Sequence, residues 1–179
     1  PNTGGMGSYV AAQQTLPFLT PADLVAAHRI NEQVIQALQQ DLGVAYKGIV
    51  YGGFMAVKTG VRLIEYNVRF GDPEVMNLLL LLDTDLVTIT QAIVNQTLAQ
   101  CPIAFSNDAT VCKYLVPEGY PAKPVKNQPI AVSAVDTTKV QVFYASVDQT
   151  EQGLIEQGSR TIAVVAKASS LGEAEQLVE

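Results

Sequence analysis

The sequence has no tryptophan, one histidine, two cysteines and three methionines among its 179 residues. A single histidine excludes a histidine-rich metal centre and would leave any Ser-His-Asp hydrolase resting wholly on His28. His28 lies mid-helix in the pattern below, among polar neighbours, and reads as a surface or packing residue. Cys101 and Cys112 are too few for a disulfide scaffold and lack metal-ligand spacing, so both read as free thiols in a reducing compartment. Long apolar runs are missing too. The longest, residues 78–82, is far below the ~20 residues of a membrane-spanning helix. The start carries no basic stretch followed by an apolar one, so no export signal is read and a cytoplasmic location is expected. Basic residues are in deficit: Lys+Arg 11 against Asp+Glu 17 give a net charge of −6. Phosphate-backbone binding needs clustered Lys and Arg, so neither nucleic acid nor a membrane is expected as a partner.

What is present is apolar side chain. At 48% apolar and 16% charged, with a mean hydropathy of +0.19, the chain can bury a genuine core in one domain or two small ones. It opens on Pro1 and a turn-rich run with no initiator Met, which suggests a piece of a longer chain.

The hydrophobic pattern changes near residues 101–108. Before that point, a helix is expected over 21–42. Thr20 would cap it, Pro21 would fill its first position and Gly43 would serve its exit. Runs 46–57 and 61–68, joined by Lys58-Thr59-Gly60, read as an antiparallel hairpin. Asp72-Pro73-Glu74 is expected to cap and open a helix reaching about residue 82, and another helix is expected over 85–99. Beyond the change, strands are expected near 109–116, 130–135, 139–146, 153–155 and 161–168, followed by a helix over 171–178. The expected fold class is α+β, divided into residues 1–105 and a β-rich 106–179.

Alternate residues of a strand share a face, so Glu65, Asn67 and Arg69 would line up about 6.6 Å apart. A carboxylate and an amide oxygen are hard ligands suited to Mg²⁺, which keeps waters and phosphates as its remaining ligands. An arginine one step further on can pair bidentately with phosphate or carboxylate. Spacing alone fits an ordinary solvated strand face at least as well. A second candidate is Asn2-Thr3-Gly4-Gly5-Met6-Gly7. Its glycines permit tight turns and close ligand approach, and successive N–H groups there could form an anion nest. No Gly-Lys-Ser/Thr follows, so it is not a P-loop. Tyr114, Tyr120 and Tyr144 read as core or rim aromatics.

Taken together, these segments resemble a known family. Asn2-Thr3-Gly4-Gly5-Met6-Gly7, Tyr51-Gly52-Gly53-Phe54-Met55 and Ile64-Glu65-Tyr66-Asn67-Val68-Arg69-Phe70-Gly71-Asp72-Pro73-Glu74 look like the phosphoribosylamine–glycine ligases of the ATP-grasp superfamily. So do Glu118-Gly119-Tyr120-Pro121, Val142-Phe143-Tyr144-Ala145 and Gly158-Ser159-Arg160, although Ser159 stands where that family usually has a second glycine. The resemblance implies the second half of an ATP-grasp domain (an antiparallel sheet with flanking helices) in 1–105, and a small, mostly β C-terminal domain in 106–179. It further implies ATP-driven ligation of glycine to 5-phosphoribosylamine through glycyl phosphate, in purine biosynthesis. ATP would be a substrate and Mg²⁺ or Mn²⁺ the cation. The resemblance places Glu65 and Asn67 as metal ligands, Arg69 and Asp72 as catalytic groups, and Asn2, Thr3, Gly4, Gly5 and Gly7 as a substrate or phosphate loop. The missing N-terminal portion of the same enzyme would be a partner, so the chain alone is expected to be inactive and prone to self-association. The alternatives are another ATP-grasp carboxylate–amine ligase, or a non-catalytic interaction module with a solvated Glu65 face.

Overall fold

A computed structural model describes residues 3–14 and 16–179, so the expectation for Asn2 lies outside the described residues. The architecture is α+β with antiparallel sheets. Contacts divide the chain into two compact units that do not follow one another in sequence. The first unit takes the described residues up to Gln14, with Asp72–Leu81 and Ser106–Glu179. The second takes the described residues between Gln14 and Asp72, with Leu82–Phe105.

The first unit is built on a four-stranded antiparallel sheet. In chain order its strands are β1 (Gly7–Val10), β4 (Ala109–Leu115), β5 (Val140–Tyr144) and β8 (Ile162–Ala168), arranged β1-β4-β8-β5. Strand β8 reads Ile-Ala-Val-Val-Ala because both of its faces are covered. Ile162, Val164 and Ala166 join Val111, Val140 and Ala174 in one apolar cluster, against which Leu171 and Val178 of α4 (Leu171–Val178) pack. Ala163 and Val165 face the other way and join Cys112 and Met76, with Val75 and Leu80 of α2 (Glu74–Leu81) packed against them. Helices α4 and α2 therefore sandwich the sheet, and each fully buried aliphatic side chain contributes about 1.5–3 kcal/mol. Ser170 caps α4 by accepting from Glu173 N. A separate ribbon of β6 (Val147–Thr150) and β7 (Gly153–Glu156) completes this unit.

In the second unit, α1 (Pro21–Leu42) is set by its ends. Thr20 Oγ1 accepts from Asp23 N at 3.2 Å, and Thr20 N donates to the Asp23 carboxylate at 2.9 Å. Each such cap is worth about 1 kcal/mol. Gly43 closes the helix at φ 69, a left-handed conformation that glycine adopts without steric penalty. Strands β2 (Tyr51–Val57) and β3 (Gly60–Asn67) form the expected hairpin. Asp85 caps α3 (Leu86–Asn95) by accepting from Thr88 N at 2.8 Å.

The structure corrects several expected elements. β2 starts at Tyr51 rather than residue 46, because Tyr46 turns its hydroxyl back to donate to Ile49 O. Helix α3 stops at Asn95, where Gln96 turns left-handed at φ 60. Residues 130–135 form no strand. Two short strands, β1 and β6, were not anticipated. β1 lies inside the expected loop and is fixed by its partner β4, from Gly7↔Lys113 to Val10↔Thr110. Asp72 does not act as a helix cap, because its carboxylate is held elsewhere, as described below. None of the helices among the described residues is long and apolar enough to cross a membrane.

Candidate functional site

The strand-face cluster lies in the second unit. The hairpin register shifts between Gly53 and Phe54, so that Gly53 pairs with Glu65 and Phe54 with Leu63, leaving Ile64 as the extra residue of a bulge. Beyond the bulge, Tyr66 turns toward α1 and its hydroxyl donates to Asn31 Oδ1 at 2.8 Å. Gly52 makes room for that contact, because a Cβ there would stand 3.0 Å from both Asn31 Oδ1 and Tyr66 Cε1. Burial raises the Tyr66 phenol pKa. Glu65 and Asn67, on alternate residues, take the opposite face. Asn67 Nδ2 donates to Glu65 Oε1 at 3.1 Å, and Arg69 Nη2 donates to Asn67 Oδ1 at 3.0 Å. Arg69 Nη1 donates to Phe70 O at 2.7 Å. The three side chains thus stand in one hydrogen-bonded row, but strand alternation accounts only for Glu65 and Asn67, because β3 ends at Asn67 and Arg69 joins from beyond it. Across the ladder, Gly53 adds no side chain over Glu65.

A divalent cation fits this donor set, since both oxygens are hard and accessible and the only cationic neighbour in the row is Arg69. Seating a cation on the Asn67 oxygen would require Arg69 Nη2 to give up its bond there. Among the described residues no group of three or more His, Cys, Asp or Glu side chains gathers, and Glu65 and Asn67 are the two side chains of this row that offer ligand oxygens.

The other candidates lie in the first unit, and there the structure adds residues that the sequence did not single out. Arg160 Nη2 donates to Asp72 Oδ2 at 2.7 Å and Nη1 to Asp72 Oδ1 at 3.1 Å, a bidentate pair. Nη1 also donates to Gly5 O at 2.8 Å. The guanidinium lies 4.6 Å from the Tyr114 ring centroid, and the Tyr114 hydroxyl donates to Asp72 Oδ1 at 2.9 Å. Burial, and then the Asp72 hydrogen bond, push the Tyr114 phenol well above its ordinary pKa. Three glycines fit this packing. A Cβ on Gly4 would meet Arg160 Cζ at 2.9 Å, one on Gly5 would meet Pro73 Cδ at 2.6 Å, and one on Gly7 would meet Cys112 O at 2.7 Å. Thr3 is exposed at the start of this loop. Gly158 takes the positive φ, at 86, that the turn before Arg160 needs, and Ser159 does not. Arg160 and Tyr114 were missed as site residues because their partners lie 88 and 42 residues away in sequence. The only signal was Arg160's place in the Gly158-Ser159-Arg160 run.

Comparison with known proteins bears directly on these two clusters. Residues 1–75 match the family model of the phosphoribosylglycinamide synthetase ATP-grasp (A) domain, and residues 110–179 match that of its C domain. The chain belongs to the phosphoribosylglycinamide synthetase family. Within it, the chain is 48% identical over 179 residues to a phosphoribosylamine–glycine ligase of Methanocaldococcus jannaschii, covering 99% of this chain and 40% of that one. It is also 48% identical to a ligase of the same name from Methanoregula boonei, covering 100% of this chain and 41% of the relative. The crystal structure of a phosphoribosylamine–glycine ligase from Thermotoga maritima superposes with a TM-score of 0.81 at 26% identity, covering 99% of this chain and 42% of that one. The chain therefore spans about 40% of the length of the curated synthetase relatives it matches. The Glu65–Asn67–Arg69 row and the Gly4–Gly5 loop both fall within the segment matched to the A domain, whereas Arg160 falls within the C domain.

Proposed function

We propose that this chain is part of an ATP-dependent ligase that joins glycine to 5-phosphoribosylamine, giving glycinamide ribonucleotide, ADP and phosphate in purine biosynthesis. The observation that carries the reading is the hydrogen-bonded Glu65–Asn67–Arg69 row, two residues on one face of β3 and the third just past its end, in a chain of this family. Residues 1–105 would be the second half of the ATP-grasp domain and 106–179 the C-terminal domain. The small-molecule partners would be ATP, glycine and 5-phosphoribosylamine, the location would be cytoplasmic, and the rest of the family's length would be needed for turnover.

Phosphoryl transfer to a carboxylate is mainly a matter of positioning and charge neutralisation, so no side-chain nucleophile is required. Glu65 and Asn67 would hold Mg²⁺ or Mn²⁺, which, when bound, neutralises charge on the nucleotide phosphates. Arg69 would place its remaining N–H groups against charge developing on the γ-phosphoryl oxygens. Thr3, Gly4, Gly5 and Gly7, with Asn2 preceding them, would bring backbone close to the reacting carboxylate and exclude the water that would hydrolyse an acyl phosphate. Asp72, held by Arg160 and Tyr114, would present a fixed carboxylate to the substrate amine.

The test is ADP release by the full-length protein containing this chain, measured with glycine, phosphoribosylamine and a divalent cation each present or withheld. Release that requires all three supports the reading. Release indifferent to glycine, or dependent on a different carboxylate, overturns it.

A further inference from the structure

We propose that Arg160 is a positioning residue, locking the Gly4–Gly5 backbone and the Asp72 carboxylate into one fixed arrangement. Its link to catalysis rests on the ligase reading above, but the lock stands on geometry alone.

A guanidinium presents its N–H donors in a rigid planar fork, and here that fork is well used. Nη1 reaches Gly5 O at 2.8 Å, Asp72 Oδ1 at 3.1 Å and Asp72 backbone O at 3.3 Å, while Nη2 takes Asp72 Oδ2 at 2.7 Å. One side chain from the turn leading into β8 therefore ties together two segments that lie 155 and 88 residues earlier. The Tyr114 ring backs the guanidinium, and the Tyr114 hydroxyl fixes the same carboxylate from β4. The Arg160 side chain is 18% exposed and that of Asp72 43%, so the guanidinium is held largely within the protein while the carboxylate keeps an open side. Gly4 has no Cβ where Arg160 lies. With the Gly5 carbonyl turned toward Arg160, the planar trans peptide aims the Met6 N–H the opposite way, so the lock sets the direction of the loop's backbone dipoles. Lysine would keep the charge but lose the fork.

The experiment compares wild type, Arg160→Lys and Asp72→Asn in the full-length protein, by amide hydrogen exchange and by steady-state ligation. In both variants the amides of residues 4–6 should exchange at least about tenfold faster, while those of β4 and β8 hold their wild-type rates. For Arg160→Lys, kcat should fall on the order of 10²-fold with KM for ATP within about threefold, because misplacement of a reacting group is paid in kcat. Loop exchange within about twofold of wild type overturns the lock. Faster exchange with unchanged kcat reduces Arg160 to a structural pin and overturns the positioning role. If Arg160→Lys does not fold, Asp72→Asn, which keeps the side-chain shape, decides the lock by the same exchange criterion. Absence of ligation in wild type would count against the ligase reading alone, and the exchange result would still decide the lock.

Discussion

The Pro73 ring stands 2.6 Å from where a Cβ on Gly5 would lie, and Asp72 O stands 3.3 Å from the same point. Pro73 is fully buried and cannot swing aside as the tip of a flexible side chain could. The glycine is therefore required by packing, whatever its part in catalysis. Gly5→Ala should destabilise the protein by about 1–3 kcal/mol, the range for forcing an extra methyl into a filled space. Urea denaturation checks this, and a midpoint equal to wild type would show that the loop yields freely.

Glu65 is exposed, so Glu65→Gln should leave stability within about 0.5 kcal/mol of wild type. On the ligase reading, it should lower kcat on the order of 10²-fold and raise the metal concentration needed for half-maximal rate. A metal titration of turnover, paired with a thermal melt, separates the two effects. Unchanged kcat at saturating metal would remove Glu65 from the mechanism.

Asn77 is fully buried and makes its hydrogen bonds between elements. Its Nδ2 donates to Thr110 Oγ1 at 3.1 Å and to Ser8 O at 3.3 Å, while Ser8 Oγ donates to Asn77 Oδ1. Asn77→Leu strands these partners and should cost about 2–3 kcal/mol. Adding Thr110→Val removes one orphaned hydroxyl and should recover part of the loss, which a double-mutant cycle would measure.

The Cys112 thiol is pushed up from 9.0 to about 11, first by burial and then by the Asp72 charge. A folded-state pKa raised above the unfolded one means that the unfolded chain loses its proton first. Stability from this group is therefore complete below pH 9 and falls, by about 1.4 kcal/mol per pH unit, as pH rises toward 11. Cys112→Ala should abolish that slope, so the stability difference between wild type and variant should shrink between pH 9 and 11. Denaturation midpoints across that range test it. At neutral pH, a thiol reagent should modify the partly exposed Cys101 well before the buried Cys112.

Local signals carried much of this protein. Helix α1 could be read from Thr20, Pro21 and Gly43 because caps act within a turn of the residues they serve. The hairpin could be read from its β-rich runs and Gly60, and the shared face of Glu65 and Asn67 from the two-residue period of a strand, whereas Arg69 joins them from beyond the strand's end. Helix α4 came out at its expected limits, and the structure shows Ser170 capping its start.

Elements whose stabilising partners are distant in sequence were decided only by tertiary structure. Gly7–Val10 has no strand signal of its own and becomes β1 because the exposed edge of β4 offers it a ladder. Residues 130–135 have the β-rich composition but no strand partner among the described residues beyond the single bridge Pro129↔Ile155. Asp72 looked like a helix cap because capping is a local reading. Arg160 and Tyr114, from positions distant in the chain, hold its carboxylate by a bidentate pair and a hydroxyl hydrogen bond, so it is not turned to the helix start. The sequence by itself determined which helices form and which side chains share a strand face, because both follow from interactions within a few residues. How the strands of the four-stranded sheet pair, and which cation holds Asp72, depend on contacts that exist only once the chain has folded.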